Sequence, residues 1–360
     1  MTENPLAAAV ARSRGFVVQS PAPREVWRRL MLLDHEALPY QSPAWLDALC
    51  ALGKHKDASR AYRFDSGHQY ILPMVSRSGL PDRLSVAESM PYAWGRGGVI
   101  SSAPPRIEHL RAIFEDLASL PYLRVAVRPN PRHAHLWSAA APPSVTVVPG
   151  LAHVLDLKGG FEEVWSKRFK KTTRTRVRKA ERTSIVVERD TTGRLVPVFH
   201  QLLRSSFNRW ADKQHEPRLL ANLRGGRRDP MAKFSSIARH FGEACHVWIA
   251  WVDGRPAAAA FVLQYGNVND ARGAIDRQAL GTSGANDLIQ KLSIEEACRS
   301  GCRYYHFGET GASASLAHYK QRFGATPHPH AEYFLEKLPI TAADARLRRA
   351  AKWMIGFKDT

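Results

Sequence analysis

Cysteine is scarce in this chain, with four in 360 residues (Cys50, Cys245, Cys298, Cys302). That is too few for a disulfide framework at this length and fits a reducing, cytoplasmic setting. No stretch approaches the roughly 20 apolar residues that a membrane span requires. The N-terminal run Leu6–Val10 is short and has no basic residue before it, so a signal peptide is not expected. Three catalytic signatures are missing too: no GxxxxGK[ST] phosphate loop, no HExxH zinc helix, no GxSxG nucleophile elbow. Cys298, Cys302 and His306 stand four apart, but Tyr304, Tyr305 and Phe307 make the His306 stretch strand-like. That breaks the helical geometry a metal pair would need, so no metal site is expected. Acid is the other shortage. Lys and Arg number 52 against 33 Asp and Glu, for a net charge of +19.

The imbalance is localised. Residues 1–150 carry 17 Lys/Arg and 12 Asp/Glu, a net of +5, whereas residues 151–360 carry 35 and 21, a net of +14. It is sharpest at 167–182, where nine cations meet one Glu in sixteen residues. Phe161, Trp165, Phe169, Thr173, Val177 and Ala180 recur every three or four residues and predict one continuous helix over Phe161–Arg182, anchored by that face. Glu162 and Glu163 fall in its first turn, where the helix dipole favours acid. Charged helix faces that are merely solvated usually mix signs. This one does not, and it suits a polyanionic partner better than plain solvent or a membrane surface.

The layout repeats. Ala61–Phe64, Asp65-Ser66-Gly67 and Gln69–Leu72 read as strand, turn, strand, and Val247–Val252, Asp253-Gly254 and Ala257–Tyr265 read the same way. A helix Ile107–Ser119 leads to a strand Tyr122–Val127, and a helix Asn286–Ser300, stopped by Gly301, leads to Arg303–Phe307. The expected organisation is a loosely ordered N-terminus at 1–20, a first α/β domain at 21–150, a second at 151–340, and a basic helix at 341–360. The order of elements suits a mixed sheet flanked by helices.

Two loops stand out for chemistry. Gln278–Ala285 contains Gly281, Ser283 and Gly284 and runs straight into the Asn286 helix, where backbone amides favour anions. Gly308-Glu309-Thr310-Gly311 is followed by Leu316–Ala325, in which Lys320 lies between Tyr319 and Phe323. Composition alone leaves that second segment open between a catalytic cation and a snorkelling surface lysine.

The second half resembles the GNAT-fold transferases of the FemABX-like branch, which commonly carry two tandem acetyltransferase-like domains. The resemblance rests on Phe161–Arg182, the hairpin at Asp253-Gly254, the helix ending at Gly301, the strand Tyr304–Gly308 and, most specifically, Tyr319-Lys320-Gln321-Arg322-Phe323-Gly324. The first half looks like the partner domain through Tyr40–Leu46 and Met90–Gly98, so the likeness spans roughly residues 36 to 338. It implies two tandem GNAT-like domains, each a mixed, mostly antiparallel sheet. It also implies transfer of an acyl or aminoacyl group to an amine without metal, cofactor or covalent intermediate, the donor being aminoacyl-tRNA or an acyl-CoA.

Carried over, Lys320 would face the reacting carbonyl or a nearby phosphate, with Glu309, Asp270 and His306 as unranked candidates for a base. Arg209 falls where relatives hold an acceptor-binding arginine, and Trp94, Tyr319 and Asp270 join it on the acceptor side. Lys167, Lys170, Lys171, Arg174, Arg176, Arg178, Gly281, Ser283 and Gly284 form the donor side. Two departures stand out. The acyl-CoA pattern Q-x-x-G-x-G/A holds only to Gly281, with Ser283 in its last place, and no Lys follows closely after Trp45. A tRNA arm presents a long phosphate track and coenzyme A only a few charges. The basic helix, and a second basic segment Arg346–Lys358, therefore favour tRNA as donor and partner.

Overall fold

The computed structural model describes residues 9–13, 15–311 and 313–357. It divides into two compact units: residues 1–149 with Ala331–Pro339, and Gly150–His330 with residues 340–360.

The first unit holds strands β1 (Ala9–Ser13), β2 (Phe16–Ser20), β3 (His55–Asp57), β4 (Arg60–Phe64), β5 (Gln69–Leu72), β6 (Val75–Arg77), β7 (Val86–Ser89), β8 (Ile100–Ser101) and β9 (Arg124–Val127). Its helices are α1 (Arg24–Leu33), α2 (Pro43–Cys50), α3 (Ile107–Ser119) and α4 (Ala134–Ala140). One sheet runs β1-β2-β4-β5-β8. The expectation of a loose N-terminus is corrected here, since β1 pairs with β2 over Ala9–Ser20 and β2 with β4. Residues 1–8 lie outside the described residues. Phe16 and Val18 point into the core on alternate positions, which fixes the register of β2. The inner face of α3 supplies Leu110, Ile113, Phe114 and Leu117, packed with Tyr62, Tyr70 and Trp137.

The second unit holds β10 (Thr146–Asp156) from Gly150 onward, β11 (Ile185–Asp190), β12 (Cys245–Val252), β13 (Arg255–Tyr265), β14 (Asn267–Ile275), β15 (Tyr304–Glu309) and the start of β16 (Thr326–Glu336). Its helices are α5 (Gly160–Glu163), α6 (Lys171–Glu181), α7 (Val196–Gln214), α8 (Arg218–Arg228), α9 (Met231–Phe241), α10 (Arg277–Leu280), α11 (Ala285–Arg299), α12 (Ala314–Gln321) and α13 (Ile340–Met354). The sheet order is β11-β12-β13-β14-β15-β10. The span expected for this domain, 151–340, is wrong for Ala331–Pro339. Tyr333–Glu336 pair with Val127–Arg124, and Tyr333 sits in the first unit's core.

Each unit contains a parallel pair among otherwise antiparallel described pairings, β7 with β9 and β14 with β15, and in each a long helix (α3 or α11) precedes the second strand of that pair. A parallel neighbour needs such a crossover, which is why the same strand–helix–strand spacing appears twice in the sequence.

The predicted continuous helix 161–182 is broken. After α5 comes a π-helical turn, Val164–Arg168, and Phe169 and Lys170 are extended before α6 begins. The cause is tertiary. Phe169 N–H returns to Val164 O, while Lys170 N–H donates to Arg322 O at 2.9 Å instead of continuing the ladder. Phe169 is thereby buried edge-on against Phe323. The apolar face itself is as expected, with Thr173, Val177 and Ala180 buried.

Candidate active site

The site forms where two parallel strands stop pairing. β14 and β15 share only Val268↔Tyr305 and Asn269↔His306, and Asp270 is the next residue. A bulge follows at once on the other side of β14. Val262 pairs with Asp270 but Phe261 with Arg272, so Ala271 is the extra residue. Val262 packs in the core beneath α11, whereas Phe261 meets Phe199 of α7 and Phe234 of α9. The bulge thus turns Asp270 toward α11 and Arg272 toward α7.

On the α11 face lies a polar network in which Gln290, Ser293 and Tyr305 are buried and Asp270, Asn286 and Tyr319 half-buried. Gln290 hydrogen-bonds Asp270 and donates to Tyr305 Oη at 2.9 Å. Ser293 Oγ lies 2.9 Å from the same phenol. Tyr319 Oη donates to Gln290 Oε1 at 3.2 Å and accepts from Asn286 Nδ2 at 2.9 Å. Burial raises the Asp270 carboxyl to about 6, against a partial pull downward from Lys320 and Gln290. Burial likewise lowers the Lys320 ammonium to about 8, with Asp270 opposing. Low-polarity surroundings disfavour both charges, so each group titrates near neutrality.

Lys320 is 3% exposed, and all three of its N–H bonds are directed at the end of β15. They go to Gly308 O (2.9 Å), Glu309 O (2.6 Å) and Thr310 Oγ1 (3.0 Å). Three hydrogen bonds are all an ammonium can donate. The ammonium is thereby committed to the end of β15. Thr310 Oγ1 in turn lies 2.7 Å from Nδ1 of His153, which is fully buried and kept neutral first by burial and then by the field of Lys320. Glu309 meets Lys320 only through its backbone. Its exposed carboxylate pairs with His330 Nε2 at 2.8 Å. His306 is buried on β15.

The glycine loop and the basic helix come together beside this network. Gly281 ends α10 and Gly284 caps α11, both at positive φ. A Cβ on Gly284 would stand 3.3 Å from both Ala180 Cβ and Arg176 O, so glycine there sets how closely α6 approaches the start of α11. Ser283 Oγ donates to Leu280 O at 2.6 Å and accepts from Ala285 N–H. Arg322 is paired with Asp287 in the first turn of α11 and lies over the Tyr319 ring at 4.8 Å.

The basic residues do not act alike. Lys170, Lys171, Arg176 and Arg178 are exposed, Arg178 lying over the Trp165 ring at 5.8 Å. Lys167 is exposed but paired with Glu163 at 2.9 Å. Arg174 is turned inward, and one of its Nη atoms donates to Trp165 O, Ser166 O and Phe169 O, closing the π-helical turn. Its guanidinium is committed to the fold. Arg209 donates to Ile275 O (2.7 Å) and Ser206 Oγ (3.2 Å), bracing the end of β14. Trp94 belongs to the first unit, where it packs edge-on to Trp45 and accepts the Trp45 indole N–H at 2.9 Å.

Sequence reasoning missed Gln290, Ser293, Thr310, His153 and Tyr305. A signal existed for part of this set. Asn286, Gln290 and Ser293 repeat at helical spacing on the same helix as the buried Ile289, Ile294 and Ala297. Buried polar side chains at that spacing mark a face that meets polar partners.

An acetyltransferase (GNAT) domain model matches residues 167–321. Among solved structures, "Crystal structure of FemX" is similar with a TM-score of 0.64 at 12% identity, over 88% of this chain and 96% of that one. A conserved protein of unknown function from Bacteroides thetaiotaomicron gives 0.55 at 11%, over 87% and 97%. The C-terminal domain of a putative lysylphosphatidylglycerol synthetase from Agrobacterium fabrum gives 0.50 at 13%, over 90% and 96%. No curated protein matches. The domain match gives residues 167–321 a GNAT acetyltransferase domain, and the structural likeness shows a shared fold. The fold is one that the chain shares with FemX, with two GNAT-like α/β units in one polypeptide. No helix among the described residues is long and apolar enough to cross a membrane.

Proposed function

We propose that this protein moves an aminoacyl group from aminoacyl-tRNA to the amine of a peptide, cell-wall precursor or small natural product, forming an amide. The observation that carries the reading is the position of α6, whose exposed cations stand beside the Gly281–Gly284 entrance to α11, next to the Asp270–Lys320 network. A long polyanion whose reactive end enters at that loop would lay its phosphates on Lys170, Lys171, Arg176 and Arg178.

In the reaction the acceptor nitrogen attacks the ester carbonyl carbon, a C–N bond forms, and the C–O bond to the ribose breaks. Asp270 takes the proton released by the amine and returns it to the departing hydroxyl. A carboxyl near 6 is ionised at neutral pH and still basic enough for this role. Lys320 fixes the Gly308–Thr310 backbone and places a positive charge near the developing oxyanion. Tyr319 and Gln290 hold Asp270 in line. The chemistry requires no cofactor.

The glycine loop favours one alternative, transfer from an acyl-CoA, whose few phosphates Gly281, Ser283 and Gly284 with Arg176 would satisfy. Incubation with an amine acceptor and charged tRNA, with and without ribonuclease and beside acyl-CoA, separates the two. Product that depends on charged tRNA and vanishes with ribonuclease is the expected outcome. Product from acyl-CoA that is indifferent to ribonuclease replaces the proposal with its alternative. Arg176→Glu should raise the donor KM by about 3–10-fold and flatten its log-salt slope by about one, with kcat little changed. Arg174→Glu should instead lower the melting temperature, because it opens the π-helical turn.

A further inference from the structure

On the sheet face opposite Asp270, α7, α8 and β14 enclose a cavity of about 220 Å³. Its walls include Phe207 and Trp210 from α7, Arg224, Gly225 and Arg228 from α8, and Arg272 from β14. None of these residues takes part in the network around Lys320. Arg272 reaches this side because of the bulge at Ala271.

Gly225 shapes the cavity. A Cβ there would lie 2.5 Å from the Phe207 ring, so only glycine lets α8 close on α7. A glycine inside a helix costs about 1 kcal/mol against alanine, which the close approach offsets. The arginines are held in place. Arg228 Nε donates to Asp229 at 2.8 Å, Arg272 Nη2 pairs with the same carboxylate oxygen at 2.9 Å, and Lys233 Nζ meets the other oxygen at 2.9 Å. Arg228 also lies over Phe207 at 5.9 Å, and Arg272 over Trp210 at 5.4 Å. Arg224, at the rim, pairs with Glu216 at 2.5 Å.

Three cations thus share Asp229, and two of them, Arg228 and Arg272, line the cavity. Guanidiniums fixed by a carboxylate on one side and an aromatic plane on another are pre-organised for a planar or tetrahedral oxyanion. We infer that this cavity is a binding site for a phosphate monoester dianion, held by Arg228 and Arg272 with Arg224 at the entrance. Three arginines lining one cavity select the phosphate, whose three terminal oxygens accept from more guanidinium donors than the two of a carboxylate. The phosphate can belong to a small phosphorylated molecule or to the 5′ end of an RNA, and the chemistry of capture is the same. The inference does not depend on the donor of the transfer reaction.

The test uses the full chain and calorimetric titration with phenyl phosphate, benzoate, and an RNA oligonucleotide with and without a 5′ phosphate. Phenyl phosphate should bind at least tenfold more tightly than benzoate. Arg228→Gln and Arg224→Gln should each weaken it about tenfold while leaving transfer with saturating substrates unchanged. Thermal melts without ligand show whether either variant is merely unfolded, and Arg224→Gln, at the exposed rim, keeps the test valid if Arg228→Gln is. Tighter binding of the 5′-phosphorylated oligonucleotide than of phenyl phosphate assigns the site to RNA ends, and the reverse assigns it to small esters. Equal affinity for benzoate, binding unaffected in both variants, or no phosphate binding at millimolar concentration overturns the inference.

Discussion

Asp270→Asn is expected to lower kcat by about 10²–10⁴-fold with little change in the melting temperature. The amide keeps the shape of the side chain and can still accept from Gln290, so the network around Tyr305 and Tyr319 survives. What it loses is the ability to take the proton that leaves the attacking amine. The pH profile provides the second readout. Wild-type kcat/KM should fall below about pH 6, as the Asp270 carboxylate becomes protonated, and fall again above about pH 8, as Lys320 loses its charge. Because the two groups interact, these limbs belong to the pair. The Asn variant should keep the alkaline limb and lose the acid one. A variant that retains the acid limb would move the base to Glu309 or His306. Full activity would remove a carboxylate base from the mechanism altogether.

Asp229→Ala should destabilise the second unit by about 3–5 kcal/mol and lower its melting temperature by roughly 10 °C. Asp229 and Lys233 are both nearly inaccessible, and the carboxylate is the shared partner of Lys233, Arg228 and Arg272. Removing it deprives a buried ammonium and two guanidiniums of that counter-charge at once. Burial by itself would push the Asp229 carboxyl up, but the three cations outweigh it and bring it down to about 2. The folded value thus lies below the unfolded one, so the native state binds fewer protons in that range. The stabilisation is fully present above about pH 4 and is lost as pH falls through about 2. Holding a carboxyl that far below its ordinary value near 4 corresponds to about 2–3 kcal/mol. Wild-type protein should therefore lose stability between pH 4 and pH 2 by more than the Asp229→Ala variant does. Parallel acid-denaturation curves would assign the effect elsewhere.

Several elements were legible because their causes are local. The turns at Asp65-Ser66-Gly67 and Asp253-Gly254 mark both hairpins, and helix α3 occupies the predicted Ile107–Ser119. The buried face of α6 follows its 3.6-residue period. Arg174 shows where that kind of reasoning stops. Its place in a basic run made it look like its neighbours, and only the break at Phe169 turned it inward. Lys320 shows the same limit, since its motif marks it as special while its hydrogen bonds are set by the end of β15.

The sequence by itself determined that this is a tandem α/β protein with its charge concentrated in the second half, because periodicity, turn chemistry and composition are properties of short segments. Tertiary structure decided which carboxylate turns toward α11, which arginines face solvent and which cations gather around Asp229. Those outcomes depend on a one-residue bulge in β14, one backbone bond from Lys170 to Arg322 and the packing of α8 against Phe207. Each joins residues on different elements, and a bulge reverses the side-chain alternation beyond it, which no local pattern records.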